Sequence, residues 1–191
     1  MLVFTIIAAT LVVAASVSPL DNYHPTEETT QEINYDPYDE DDRYNSAFAQ
    51  VFGDLKLTVP SLTVGQTIEV LYVNPPTGAL SINLVTADDD VALHFNPRYS
   101  STGGYLVLNT LLNGNWQTEV HPTGFPFPAN NVKTRVLVSI TVQEKDFLLQ
   151  VNGIDITTFS YRPGLSYDKV RHITCKGLEH AVLEAIGVTY N

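Results

Sequence analysis

From residue 55 onward the chain runs in short stretches in which apolar and polar side chains take turns. Ile68, Val70 and Tyr72 alternate with Thr67, Glu69 and Leu71, and Leu80, Ile82 and Leu84 with Ser81, Asn83 and Val85. Val136, Val138, Ile140 and Val142 share one face, with Leu137, Ser139 and Thr141 opposite. A period of two marks a strand with one buried face. Turn signals separate the runs: Pro75-Pro76-Thr77-Gly78, Asn113-Gly114-Asn115 and Asn152-Gly153. No long stretch carries the 3.6-residue period of an amphipathic helix. The pattern predicts an all-β domain of two packed antiparallel sheets, a β-sandwich.

One region breaks the plain alternation with chemistry. It reads His94-Phe95-Asn96-Pro97-Arg98, then Val107-Leu108-Asn109, then Trp116-Gln117-Thr118-Glu119-Val120-His121. On a strand, His94, Asn96 and Arg98 point the same way while Phe95 turns to the core. The outer two lie roughly 13 Å apart, so Arg98 has to reach back toward the middle to share a site with His94. Val107 and Asn109 share a face on the next run, after a turn at residues 100–104 that Gly103 and Gly104 make easy. Trp116 and Glu119 are an odd number of residues apart, so a regular strand would put them on opposite faces. If both serve one site, a break or bulge must lie between them. Polar groups around the chain's single Trp suit a sugar, which offers hydroxyls to chelate and a C–H face to stack.

These residues resemble the galectin family, which carries His-x-Asn-Pro-Arg, Val-x-Asn and Trp-x-x-Glu-x-Arg on successive strands. Every motif position is matched except the last Arg, where His121 stands. The flanks resemble it too: Leu62-Thr63-Val64-Gly65-Gln66, Val151-Asn152-Gly153 and Phe159-Ser160-Tyr161-Arg162-Pro163. The resemblance implies a jelly-roll sandwich with a β-galactoside site on its concave face and no metal or other cofactor. It implies that Trp116 stacks on galactose, that His94, Asn96 and Arg98 hold the 4-hydroxyl, and that Asn109 and Glu119 hold the 6-hydroxyl. His121, in place of an Arg that would touch the second sugar, is expected to alter preference there. An imidazole also changes charge near neutral pH, as a guanidinium does not. Pro122 restricts His121 to an extended conformation, which leaves two readings: a ring aimed beside Glu119, or one turned to solvent as a bystander.

Composition bounds the rest. A length of 191 residues with 44% hydrophobic content suits one folded domain plus appendages. The formal charge is −11, but residues 21–43 hold nine acids and one base, a net of −8, leaving −3 for the domain. The acidity is therefore a tail property, and no basic surface for nucleic acid is on offer. Residues 1–17 contain no charged side chain, and Ala14-Ala15-Ser16 has the small residues of a cleavage site. The run is short of the ~20 residues of a membrane span. The expected organisation is a signal peptide at 1–16, a disordered acidic linker at 17–45, and a galectin carbohydrate-recognition domain at 46–191. The expected location is extracellular, after secretion and without membrane insertion. Tyr35, Tyr38 and Tyr44 sit among acids, as sulfation targets do, although plain acidic linker is the simpler reading.

Other chemistry finds little support. Cys175 is the only cysteine, so no intramolecular disulfide exists, and its strand-like setting reads as a small buried hydrophobe. Asp88-Asp89-Asp90 reads as an exposed turn, because three consecutive acids cannot all converge on a hard cation. A glycoside hydrolase needs two carboxyls flanking a bond, and only Glu119 falls in the patch, so the chain is not expected to be an enzyme. The expected partners are galactose-containing glycans on glycoproteins or glycolipids. With one site per chain, crosslinking them calls for a homodimer. The alternatives are a galectin-fold interaction protein with lost or altered sugar binding and, remotely, a glycoside-acting enzyme.

Overall fold

The structure, a computed structural model, describes residues 9–10, 13–14, 31–33, 54–73, 78–100, 103–127, 134–177 and 182–190. Three short strands come from the amino-terminal part: β1 (Ala9–Thr10), β2 (Val13–Ala14) and β3 (Gln31–Ile33). The domain opens with β4 (Leu55–Thr58), β5 (Thr67–Val73), β6 (Gly78–Ala79) and β7 (Ser81–Thr86). Its centre is β8 (Val91–Ser100), β9 (Gly103–Leu112) and β10 (Asn115–Trp116). It closes with β11 (Arg135–Val142), β12 (Asp146–Val151), β13 (Ile154–Ser160), β14 (Val170–Lys176) and β15 (Val182–Tyr190).

Among the described residues these strands form two sheets. One runs β1-β15-β5-β11-β12-β13 with β2 also on β15; the other runs β10-β9-β8-β7-β14-β4-β3 with β6 on β8. Pairing is antiparallel throughout except for β3, which lies parallel to β4. The expected sandwich of two antiparallel sheets is present, with jelly-roll architecture. Ala15, Ser16, Tyr35, Tyr38, Tyr44 and residues 75–77 lie outside the described residues.

The period-two pattern is what builds the core. Ile68, Val70 and Tyr72 of β5 and Val136, Val138 and Ile140 of β11 meet Ile82 and Leu84 of β7, Leu93 and Phe95 of β8, and Leu106 and Leu108 of β9. Each such side chain taken from water contributes about 1.5–3 kcal/mol. Phe95, fully buried between His94 and Asn96, therefore fixes which face those two present. Shifting β8 by one residue would bury its polar set instead. In the same core the Tyr72 and Tyr99 hydroxyls bond each other at 3.0 Å, which satisfies both polar tips. Cys175 is fully buried, and burial, with the Asp54 charge adding, pushes its thiol up to about 12. The thiolate needed for reaction is thus suppressed.

Two Asn-Gly turns close the hairpins at the site's margin and far from it. Asn113 and Gly114 both take positive φ (50° and 75°), as do Asn152 and Gly153 (51° and 77°). Each two-residue loop joins paired neighbours, Leu112 to Asn115 and Val151 to Ile154. That is the mirror-image turn whose twist matches the flanking strands.

Candidate functional site

The face of the β8-containing sheet that is turned away from the core collects the polar residues. On β8 these are His94, Asn96 and Arg98, and the register sets them opposite Asn109, Val107 and Tyr105 of β9. Asn109 therefore faces His94 across one strand spacing. Asn96 and Asn109 are 6% and 3% exposed. Buried amides must be bonded, and these are. Asn96 Nδ2 donates to the Leu80 carbonyl at 2.8 Å, and Asn109 Nδ2 donates to the Gln117 carbonyl at 2.9 Å. Arg98 does reach back: its Nε donates to Asn96 Oδ1 at 2.8 Å.

The parity problem between Trp116 and Glu119 has a physical solution. Trp116 is paired with Leu111, and Val120 with Leu108. Four steps along one strand thus meet three along the other, so one extra residue is inserted between Gln117 and Val120. Because faces alternate, that insertion moves Glu119 and His121 onto Trp116's face. Trp116 is 53% exposed, and its ring centroid lies 4.7 Å from that of His94 at a tilt of 55°. About half of the Trp116 surface thus stays open to solvent beside the His94 ring.

Glu119 is held from two sides. His121 Nε2 lies 3.0 Å from Oε2, and Arg98 Nη2 lies 3.5 Å from Oε1. These side chains are 39–46% exposed, so the pairs add little to stability and serve to orient the carboxylate. The His121 ring stacks on Tyr105 (centroids 5.6 Å, 17° between planes). Arg98 lies over the same Tyr105 ring at 5.6 Å and donates from Nη1 to its hydroxyl at 3.2 Å. His121 is therefore part of the cluster.

His94 is biased toward its neutral form. Burial lowers its pKa to about 4, with the Arg98 charge adding and Glu119 opposing. Its Nδ1 lies 2.6 Å from Asn83 Oδ1 on β7, and Asn83 Nδ2 donates to Thr174 Oγ1 on β14 at 3.1 Å.

All seven sequence-predicted residues meet on one face: His94, Asn96, Arg98, Asn109, Trp116, Glu119 and His121. Sequence reasoning missed three others. Asn83 faces His94 through the strand register, and its alternation with Ile82 and Leu84 was the available signal. Tyr105 shares parity with Val107 and Asn109. Arg162 left no periodic signal: it crosses from the β13 end, donating from Nη1 to Asn109 Oδ1 (3.1 Å) and Thr110 Oγ1 (2.9 Å), and from Nη2 to the Thr118 carbonyl. Its guanidinium also lies 5.5 Å from the Phe159 ring centroid. Asp88 and Asp89 sit in an exposed turn, Asp89 at φ 60°, while Asp90 accepts the Asn113 backbone N–H. Among the described residues no three His, Cys, Asp or Glu are grouped to hold a metal.

A sandwich with an open aromatic ring beside a row of oriented amides and charges defines a carbohydrate-binding protein. The galactoside-binding lectin family matches residues 55–182; the chain belongs to it and is a member of the galectins. Galectin b of Aplysina lactuca is 32% identical over 139 residues, 66% of this chain and 91% of its own. Galectin a of the same organism is 32% identical over 111 residues, 52% of this chain and 72% of its own. Among solved structures, a tetrameric galectin from the ball sponge Cinachyrella sp. aligns with a TM-score of 0.64 at 31% identity, over 72% of this chain and 99% of its own. A Caenorhabditis elegans galectin, at 22% identity and TM-score 0.63 over 74% of this chain and 94% of its own, shares the fold. Galectins are β-galactoside-binding lectins and not enzymes.

Proposed function

We propose that this protein binds β-galactosides without metal, through the cluster centred on Trp116, and acts outside the cell. The observation that carries the reading is the half-open Trp116 ring standing against His94, with Asn96, Arg98, Asn109, Glu119 and His121 on the same face. Galactose's axial 4-hydroxyl leaves one C–H face clear for the indole, while the 4-hydroxyl meets His94, Asn96 and Arg98. The 6-hydroxyl meets Asn109 and Glu119. The site supplies a single carboxylate, far from the six to eight oxygens a calcium ion takes, so the sugar is held by side chains alone. A shallow site with one stacking ring gives dissociation constants on the order of 0.1–10 mM for lactose.

The test is retention on a galactoside column in EDTA, with elution by lactose. Trp116→Ala and Arg98→Ala should each lose retention while keeping the wild-type circular dichroism spectrum. Retention of Trp116→Ala at wild-type strength would overturn the assignment.

Secretion draws on the uncharged run at 1–17. Cleavage near Ala15 or Ser16 removes β1 and β2, both paired with β15, and leaves β15 as an edge strand. An exposed edge is a template for a second copy, which would provide the two sites that crosslinking of glycans needs. Intact mass of secreted protein reads the cleavage point and reports sulfation of Tyr35, Tyr38 or Tyr44 as added mass. Light scattering of the mature chain reads its oligomeric state.

A further inference from the structure

Asn83 belongs to none of the galactoside contacts described above, yet it is nearly buried beneath the site, at 5% exposure. The strand registers set Thr174, Asn83 and His94 side by side across β14, β7 and β8. Their side chains form a chain of hydrogen bonds in the same order: Asn83 Nδ2 to Thr174 Oγ1 at 3.1 Å, then Asn83 Oδ1 to His94 Nδ1 at 2.6 Å. With its carbonyl oxygen turned to the ring, as here, Asn83 can only accept, and in that orientation Nδ1 is the donor. A neutral imidazole has one N–H. With Nδ1 protonated, Nε2 carries a lone pair.

We propose that Asn83, held by Thr174, is a positioning residue that locks His94 in the Nδ1–H tautomer and makes Nε2 a hydrogen-bond acceptor in the sugar site. The proposal rests on the galactoside reading of that site and adds a rule for the ligand. Arg98 and the Asn96 amide nitrogen are donors, and Arg98 is a permanent cation. An acceptor beside these donors favours a group that both gives and takes a hydrogen bond, which a hydroxyl does. A hydroxyl donating its proton to His94 Nε2 and accepting from Arg98 uses both capacities. A fluorine or a methoxy oxygen in its place can only accept, and leaves the imidazole lone pair unmatched. The low basicity of His94, which burial and Arg98 produce, keeps the ring in the neutral form that the device needs. The charged groups facing it are Arg98 on its own strand and Glu119 from the β10 side.

The experiment is nitrogen-15 NMR of the imidazoles in the full chain at pH 8, with His94 assigned through His94→Gln. The ring-nitrogen shifts distinguish the two neutral tautomers without any ligand. Wild type should show His94 protonated at Nδ1. Asn83→Ala should release it to a mixture or to the Nε2–H form and weaken lactose binding by about tenfold. Asn83→Asp, which restores an acceptor of the same shape, should recover both the Nδ1–H signature and most of the affinity. Wild type should bind the 4-deoxy-4-fluoro analogue of the galactoside about tenfold more weakly than the parent sugar, with the gap narrowed in Asn83→Ala. An Nε2–H signature in wild type overturns the proposal whatever the variants do. So does an Nδ1–H signature that persists in Asn83→Ala. Failure of wild type to bind lactose is a separate result that strikes the galactoside reading, because the tautomer is read on free protein.

Discussion

Protonating His94 should cost folding stability, and the size of the effect follows from its setting. Its pKa falls from 6.5 to about 4 in the folded chain, chiefly through burial and secondly through Arg98. The unfolded chain therefore takes up a proton as pH drops through about 6.5, while the folded chain resists until about 4. A depressed folded pKa means stability is fully present above the unfolded value and is lost as pH falls toward the folded one. Linkage puts the loss from this one group at about 2 kcal/mol by pH 5 and about 3 kcal/mol by pH 4. His94→Gln removes the titration and contributes only a pH-independent offset. Urea unfolding of both proteins at pH 7, 6 and 5 isolates the term, since the other groups titrate in both. Wild type should lose about 2 kcal/mol relative to the variant between pH 7 and pH 5. A difference that stays constant across that range would refute the account of His94 as a neutral, partly desolvated ring.

Three further outcomes follow from named contacts. Replacing His121 by Ala should free Glu119 Oε2 and uncover the Tyr105 ring, and so change the ratio of lactose to galactose affinity, read by calorimetry, while galactose itself is still bound. Replacing Arg162 by Met should unfasten Asn109, Thr110 and the Thr118 carbonyl together, costing about 2–4 kcal/mol of stability by thermal unfolding and weakening lactose binding by calorimetry; Arg162→Lys should recover little, because an ammonium lacks the planar fork. Gly104→Ala should destabilise by about 1–3 kcal/mol and weaken sugar binding, since the new Cβ would sit 2.5 Å from the Arg98 carbonyl oxygen and 2.6 Å from the Phe125 ring, forcing the Arg98 backbone to move.

What the sequence settled by itself is whatever depends on near neighbours. Alternation over β5, β7 and β11 specified which side chains face the core, because a strand has only two faces. Asn113-Gly114 and Asn152-Gly153 specified their hairpins, because few residues tolerate the positive φ that such turns need. The shared face of His94, Asn96 and Arg98 was legible for the same reason as the core. Trp116 and Glu119 mark the limit. Their parity required an irregularity, but only pairing with β9 placed the extra residue between Gln117 and Val120. Beyond that, the tertiary structure decided. Asn83 meets His94 because β7 and β8 pair in one register and no other, and Thr174 arrives from a strand some ninety residues later. Arg162 reaches Asn109 across a separation of 53 residues. Tyr105 gains its role only when the insertion turns His121 onto its ring. Periodicity reports what a segment does with its own faces. Which segments those faces meet is set by sheet order and register, and these are selected by the burial of the whole core at once.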